Sequence, residues 1–257
     1  MSKILFLFTT VLISTISLSQ ERISLVYTGN MGVYISDGQS SFLIDGLHTK
    51  YGDDYLFPSK ELVKKIGSQL QPDAILFTHY HGDHFSAELS KEYLDHNQKS
   101  VLFGSSQIAS NFRAYNKRIH TVTTSDYIKR TTNVGDLKIT GFKINHAGKR
   151  HLAVENVGYI VDIKGKKILH VGDTNWLEEI NLFDQLELIK EEIDIAILPY
   201  WMLLHEDATK LIKKHINPKQ LVATHISPRI KKQELRELKK RYPKVYFLTK
   251  QEQQIQL

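Results

Sequence analysis

The densest set of groups that could bind metal lies in six consecutive residues, 79–84, which read HYHGDH. Four of them offer nitrogen or oxygen donors: His79, His81, Asp83 and His84. Zinc binds neutral imidazole and carboxylate at roughly 2.0–2.2 Å. Side chains alternate along an extended segment, so His79 and His81 point the same way and can share one ion. Gly82 permits a turn, after which the aspartate and the last histidine can reach a second ion.

Four donors are too few for two tetrahedral ions, and three more stand at the ends of predicted strands: His146, Asp173 and His225. Strand ends on one edge of a sheet meet in one pocket, so we expect these side chains to join the 79–84 segment. A histidine-rich surface loop would not need the apolar strand that leads into this segment. The chain has no cysteine, so the ligands are nitrogen and oxygen atoms, which suit zinc, manganese and iron.

The third ligand of the first ion has two candidates. His146 and His151 lie five residues apart, and we favour His146 because it ends its strand directly. His151 would then support the ligands or contact substrate, and Arg150 could meet an anionic substrate.

Four further residues are candidates for supporting or lining the site. Asp45 ends an early strand and is predicted to accept a hydrogen bond from the histidine loop. His170 precedes Asp173 by three residues and is predicted to be packed or to support a ligand. Tyr200, together with Trp201 next to it, follows an apolar strand, and both are predicted to line the pocket or to join the core.

The elements that must position these residues alternate between strands and helices. Strands are predicted at 23–27, 32–36, 41–45, 73–78, 101–104, 120–123, 137–146, 158–163, 167–171, 193–198, 221–225 and 244–248. Helices are predicted at 59–70, 86–97, 105–115, 176–192, 206–215 and 231–241. Each half is a hairpin-rich sheet with helices on its outer side. The pattern predicts an α/β (α+β) fold, a four-layer αββα sandwich, as a single domain over 20–257.

The N-terminus has the layout of a secretory signal peptide. Lys3 is followed by an apolar run to Leu18, and Ser17 and Ser19 are small residues that a signal peptidase could read. We predict a signal peptide over 1–19, a secreted or periplasmic protein, and no membrane span in the remaining chain.

The charge pattern argues against a nucleic-acid partner. The net charge is +6, but lysines and arginines are scattered, and their densest stretch, 231–241, contains Glu234 and Glu237 at helical spacing. This is typical of a solvated helix face. The positive balance favours a small, anionic substrate.

The full set of motifs resembles the metallo-β-lactamase superfamily of hydrolases. The matching segments are HYHGDH at 79–84, NHAG at 145–148, GDT at 172–174 and TH at 224–225. The resemblance implies that His79, His81 and His146 hold a first ion, that Asp83, His84 and His225 hold a second, and that Asp173 bridges the two. It also implies catalytic roles for Asp83 and His84, with Asp83 assisting proton transfer as well as binding metal.

The implied reaction is hydrolysis at a dinuclear centre. A hydroxide bridging two ions, zinc being the first expectation, would attack an ester, a lactone or a phosphodiester. Residues 156–159 and 168–174 resemble the lactonase- and phosphodiesterase-like branch. The chain has no cysteine, and it has no nucleophile elbow with a Ser-His-Asp arrangement. A covalent mechanism is therefore not favoured.

Four alternatives share the motif. Asp173 argues against a β-lactamase, since β-lactamases of this fold have no bridging aspartate there. The predicted signal peptide argues against a nuclease of the ribonuclease Z kind. The intact ligand set argues against a non-catalytic metal-binding module. The absence of glutamate from that set, and of a flavin domain, argues against an oxygen-reducing di-iron protein.

Overall fold

Two seven-stranded sheets form the centre of the molecule. The computed structural model describes residues 23–174 and 180–257. The described strands are β1 Ser24–Gly29, β2 Gly32–Ser36, β3 Ser41–Ile44, β4 Ala74–Leu76, β5 Val101–Gly104, β6 Ile119–Thr121, β7 Arg130–Val134, β8 Leu137–Lys143, β9 Val157–Ile163, β10 Lys166–His170, β11 Ile195–Pro199, β12 Gln220–Thr224, β13 Val245–Phe247 and β14 Gln254–Gln256. The first sheet has the order β14-β1-β2-β3-β4-β5-β6, and the second β13-β12-β11-β10-β9-β8-β7.

The two sheets bury their facing apolar side chains against each other. Alternate residues of the strands in each sheet point into this layer, as Val33 and Ile35 do from β2 and Val161 and Ile163 do from β9. The hydroxyl of the buried Tyr159 donates a 2.8 Å hydrogen bond to the carbonyl oxygen of Phe77, which links the sheets close to the 79–84 segment.

Helices cover the outer face of each sheet. The first sheet is covered by α1 Lys60–Lys65, which continues as a π-helical turn Ile66–Leu70, and by α2 Ala87–His96 and α3 Ser106–Ala109. The second is covered by α4 Ile180–Gln185, α5 Ala208–His215 and α6 Lys232–Arg241. The result is the predicted four-layer αββα sandwich. No helix in the described part of the chain has the length and apolar character needed to cross a bilayer.

Parallel strands bring the candidate ligands to one edge. In the first sheet β3, β4 and β5 run parallel, and in the second β10, β11 and β12 do so. Their carboxyl ends lead directly to Asp45, to the 79–84 segment, to Asp173, to Tyr200 and to His225. The edge where these ends meet is therefore the place where the polar side chains collect.

Three sequence predictions about elements need correction. The strand around His120, expected to open the second half, instead pairs with β5 in parallel and closes the first sheet. The predicted helix 176–192 is interrupted, because α4 ends at Gln185 and Glu187 adopts a left-handed φ of 50°. The edge strands β7 and β14 are additional to the predicted set. The beginning of that helix and the predicted signal peptide, 1–19, lie outside the described residues.

Candidate metal centre

Seven histidine and aspartate side chains converge at the common edge of the two sheets and form two groups. The first group consists of His79, His81 and His146, and the second of Asp83, His84, Asp173 and His225. Within each group the facing nitrogen and oxygen atoms all lie within 4.8 Å of one another. These are the seven residues that the sequence nominates as ligands, and they are distributed between the groups as the resemblance implies, with Asp173 counted in the second.

A tight turn after β4 separates the two groups within the 79–84 segment. The backbone N–H groups of His84 and Phe85 both donate to the carbonyl oxygen of His81, at 3.0 and 2.9 Å. Gly82 is needed in this turn, because a Cβ there would lie 2.9 Å from the ring of Tyr51. His79 and His81, which precede the turn, therefore join the first group, and Asp83 and His84, which follow Gly82, join the second.

Residues that follow β8 and β10 hold each other in place across the second sheet. His146 pairs with Thr174 in an isolated bridge, and the N–H of Ala147 donates to the carbonyl oxygen of Asp173 at 2.7 Å. Gly172 has a φ of 57°, and a Cβ there would lie 2.7 Å from Thr78. The absence of a side chain at 172 thus lets this segment approach the end of β4 closely.

The Asp173 carboxylate lies between the two groups. Its Oδ1 is 3.3 Å from Nε2 of His84, and its Oδ2 is 3.3 Å from Nε2 of His225. The same Oδ2 is 3.8 Å from Nε2 of His146, a member of the first group. One carboxylate therefore faces imidazoles of both groups.

Hydrogen bonds behind three of the rings fix which nitrogen faces inward. Nδ1 of His84 donates to Oδ2 of Asp45 at 2.8 Å, and Nδ1 of His146 to the carbonyl oxygen of Ala147 at 2.8 Å. The Thr78 hydroxyl donates to Asp45 at 2.6 Å, and its oxygen lies 3.0 Å from Nδ1 of His79. Each ring therefore presents Nε2 to the centre, the arrangement typical of metal-binding histidines.

The inward atoms are suited to cations. Among the described residues, four buried atoms of the two groups have no hydrogen-bond partner: Nε2 of His79, His146 and His225, and Oδ1 of Asp173. Buried polar atoms are almost always paired, and bare imidazole nitrogens beside a carboxylate are what a divalent cation requires. The residues present therefore fit two divalent cations.

Burial and charge act on the two groups in opposite directions. In the first group, burial and the neighbouring imidazoles lower the pKa of His81 to about 4. In the second, burial opposes protonation of His225, but the charge of Asp173 outweighs it and raises the pKa to about 9. Burial acts against ionisation of Asp173 too, yet the charges of His225 and His84 hold its pKa well below the ordinary value.

The predicted supporting residues have separate outcomes. Asp45 accepts hydrogen bonds from His84 and Thr78, as predicted for a residue behind the histidine loop. The buried His170 lies within 3.0 Å of the carbonyl oxygen of Met31 through Nε2 and accepts from the N–H of Gly172 at 3.2 Å. It is thus a packed residue that supports the segment before Asp173.

His151 lies beside the first group rather than within it. Its ring centroid is 4.5 Å from that of His146 and 4.9 Å from that of His81. Its Nε2 accepts a 2.8 Å hydrogen bond from Nε of Arg150, so this nitrogen is engaged by a cationic side chain. The geometry places His146 with the ligand atoms of the first group and the 150–151 pair next to them.

The aromatic residue at the end of β11 that contacts the centre is Trp201. Its ring centroid is 4.7 Å from that of His225, and Tyr55 approaches the same imidazole from another side at 5.6 Å. Tyr200, the other residue predicted to line the pocket or to join the core, packs against the core between the second sheet and its helices. Of the two candidates at this strand end, Trp201 therefore contacts the site.

Asn30 is a residue of the site that the sequence analysis does not single out, since it lies in the connection between the predicted strands 23–27 and 32–36. It is buried, and its Nδ2 donates to both the carbonyl oxygen and Oδ2 of Asp83, each at 3.0 Å. Its own carbonyl oxygen accepts from the N–H of His225 at 2.8 Å. Asn30 therefore connects two members of the second group. Asn30 has a left-handed φ of 49°, a conformation that asparagine tolerates well. The residue type is therefore the feature of the sequence that is compatible with this turn.

Comparison with known proteins agrees with this geometry. The sequence model of the beta-lactamase superfamily domain matches residues 54–232, which contain all seven of the residues in the two groups. A metal-dependent hydrolase of Natranaerobius thermophilus is 26% identical over 205 residues, covering 78% of this chain and 82% of the relative.

Solved structures share the fold. Igni18, a metallo hydrolase from the archaeon Ignicoccus hospitalis, superimposes with a TM-score of 0.62 at 17% identity, over 92% of this chain and 98% of that protein. CmlA, a diiron β-hydroxylase from Streptomyces venezuelae, gives a TM-score of 0.62 at 12% identity, over 92% of this chain and 54% of its own.

Proposed function

The chain belongs to the beta-lactamase superfamily and is a metal-dependent hydrolase, and we propose that it uses two divalent cations to cleave an ester, lactone or phosphodiester bond in a small molecule. His79, His81 and His146 would hold one cation, and Asp83, His84 and His225 the other. The observation that supports a pair of cations most directly is the position of Asp173, whose carboxylate faces imidazoles of both groups.

The chemistry of the centre divides between the cations and the chain. Bound divalent cations would lower the pKa of a water molecule to about 7, so that hydroxide is available at neutral pH, and would polarise the oxygen under attack. Asp45 and Thr78 hold the imidazoles of His84 and His79 with Nε2 inward. Asn30 fixes one oxygen of Asp83 by a hydrogen bond, which orients the other oxygen. Preorganised side chains of this kind need no rearrangement during the reaction.

The surroundings of the first group favour a substrate with an anionic and an apolar part. Arg150 stands next to His151 and supplies a positive charge beside the partly exposed His81. Tyr80 and Leu152 flank these residues and expose 45% and 80% of their surface. Exposed apolar side chains around a cleft mark a binding surface, so we propose that they contact the apolar part.

Zinc is the cation we propose, because neutral imidazoles predominate in the donor set and four-coordinate sites of this composition suit it. Manganese and iron accept the same donors. Metal analysis of the purified protein distinguishes them, and we expect about two equivalents of zinc per chain.

The proposed function is tested by removing the shared carboxylate. We expect Asp173→Ala to lose at least half of the bound metal and at least about a hundredfold in hydrolysis of chromogenic phosphodiester, ester or lactone substrates. Asp136→Ala removes an exposed aspartate in the turn between β7 and β8 and serves as the matched control. Full activity with a normal metal content in Asp173→Ala would show that the paired-cation proposal is wrong.

Two competing activities are tested in the same panel. A cephalosporin arm addresses β-lactamase activity, and a structured RNA arm addresses nuclease activity of the ribonuclease Z kind. We expect neither to be the best substrate, because Asp173 faces both groups and the described surface around the centre presents Tyr80 and Leu152 rather than a continuous basic stripe.

A further inference from the structure

A second cavity, separate from the metal centre, lies between two helices that cover the first sheet. It has a volume of about 880 Å³ and lies between α1, with its π-helical continuation, and α2. This is within the size range of cavities that bind small molecules. Its apolar walls are formed by Leu47, Phe57, Val63, Leu89 and Tyr93.

The cavity has a polar end and a closed end. His48, Lys50 and Lys60 line the end near the start of α1, where Lys50 also forms a 2.9 Å ion pair with Asp53. Toward the other end the lining includes Lys64 and Glu92, whose charges are opposite, and the side-chain amide of Asn97, just after α2, donates to the carbonyl oxygen of Gly67 at 3.2 Å. The net positive charge of the lining therefore lies toward the first end.

His48 is the second observation that points to a ligand. Its side chain is 1% exposed and lines the cavity, and its Nε2 has no hydrogen-bond partner among the described residues. A buried imidazole nitrogen without a partner is costly unless a ligand or a water molecule meets it. Lys50 and Lys60 line the same cavity and are exposed, so they supply positive charge to it.

We propose that this cavity binds an amphipathic anion of the fatty-acid class. The alkyl tail lies between α1 and α2 along Val63, Leu89 and Tyr93, and the carboxylate lies at His48, Lys50 and Lys60. The charge at one end matches an anionic head group, and the apolar walls match a tail. The hydrogen bond between Asn97 and Gly67 joins the two walls at the far end of the cavity. An alkyl tail can end there, whereas a peptide would have to continue past it.

The site is distinct from the metal centre but close to it in the chain. Leu47 forms a bridge with Phe85, and its carbonyl oxygen accepts from the N–H of Ser86 at 2.8 Å. The cavity therefore shares a wall with the segment that follows Asp83 and His84. None of its lining residues belongs to either ligand group.

The test is equilibrium binding of saturated carboxylates to the full-length protein, measured by calorimetry below their micellar concentrations. We expect saturable binding of one equivalent of dodecanoate. From octanoate to decanoate to dodecanoate the affinity should rise by about fourfold per added methylene, as burial of an alkyl chain requires. Dodecyltrimethylammonium, with the same tail and the opposite charge, should bind at least tenfold more weakly.

Three variants connect the binding to this cavity. Val63→Trp fills the space between the helices and should weaken dodecanoate binding at least tenfold. The double variant Lys50→Glu with Lys60→Glu should weaken dodecanoate at least fivefold. Lys240→Glu, at an exposed lysine of α6 on the other sheet, is the matched control and should leave the affinity unchanged. Circular dichroism and thermal melting establish that each variant is folded.

The outcomes separate this proposal from the proposed function. Asp173→Ala should bind dodecanoate like the wild type, even though it has lost metal and activity. Absence of saturable binding, equal affinity for the cationic amphiphile, or unchanged affinity in a folded Val63→Trp protein would each overturn the proposal.

Discussion

Nδ1 of His84 lies 2.8 Å from Oδ2 of Asp45, and both side chains are completely buried. Because the carboxylate can only accept, the imidazole carries its proton on Nδ1 and presents Nε2 to the second group. Asp45 also accepts from the hydroxyl and the N–H of Thr78, at 2.6 and 2.8 Å. The carboxylate of Asp45 thereby orients both His84 and Thr78, the residue that follows β4 and precedes His79.

Asp45→Asn should weaken cation binding to the second group. The amide keeps the shape of the side chain but has one acceptor oxygen in place of two, so its NH2 group must face either the N–H of Thr78 or the donors of His84 and Thr78. The His84 ring is therefore held less firmly. We expect a loss of 10–100-fold in affinity, the usual effect of removing a hydrogen bond behind a metal-binding histidine. Competition with a chromophoric chelator measures it, and an unchanged affinity would contradict the role assigned to Asp45.

Asn30→Gly should affect the second group while leaving the backbone in place. Glycine adopts the φ of 49° freely and keeps the carbonyl oxygen that accepts from His225, so the change removes only the amide that donates to Asp83. We expect about tenfold weaker cation binding and a loss of about 1–3 kcal/mol in the free energy of unfolding.

Asn217→Gly is the matched control for that variant. Asn217 also has a left-handed φ, 51°, but it is exposed and remote from the centre. If Asn217→Gly loses as much cation affinity as Asn30→Gly, the loss in Asn30→Gly is caused by the greater backbone entropy of glycine and not by the missing hydrogen bonds to Asp83.

The two histidines after β8 should differ in their effect on metal content. His146 belongs to the first group, so we expect His146→Ala to lose one of two bound cations. His151 lies beside that group with its Nε2 engaged by Arg150, so His151→Ala should keep both cations and change the Michaelis constant for anionic substrates. Elemental analysis with steady-state kinetics distinguishes them. Loss of a cation from His151→Ala alone would reverse the assignment.

The site was predictable where ligands stand at the ends of buried strands. Strands such as β4 and β12 are short apolar runs, and the polar residue that follows each one has to emerge at the sheet edge, as His79 and His225 do. Chemistry and spacing therefore located the seven convergent side chains. Asn30 could not be found this way, because its role depends on contact with Asp83, 53 residues away, and its neighbours read only as a turn.

The fold was predictable in its layers and less so at its edges. The strand β14 has three residues, two of them exposed glutamines, and pairs with β1 at the other end of the chain, so no local pattern indicates it. The edge strand β7 is equally polar. The break after α4 depends on left-handed backbone at Glu187, a conformation that glutamate does not signal.

Export is expected to be accompanied by cleavage near residue 19. Ser17 and Ser19 flank Leu18 as small residues after the apolar run, and the first described strand begins at Ser24, so cleavage at this point keeps every described strand in the chain. N-terminal sequencing of protein recovered outside the cytoplasm should give a chain that begins at Gln20. Recovery of only the uncleaved chain inside the cytoplasm would contradict the prediction.

Cation binding to the second group should release protons at neutral pH. Burial disfavours the charged form of His225, but Asp173, 3.3 Å away, outweighs burial and raises the pKa to about 9, so the free protein holds this proton at pH 7. A metal-binding imidazole must be neutral, so the proton has to leave. Apparent affinity should therefore rise with pH up to about 9 and fall as the solution is acidified.

His81, with a pKa lowered to about 4 by burial and by His146, is already neutral and should release none. Calorimetry in buffers of different ionisation enthalpy counts the protons, and we expect about one fewer in His225→Ala than in the wild type. Identical proton counts would mean that His225 is neutral before the cation arrives.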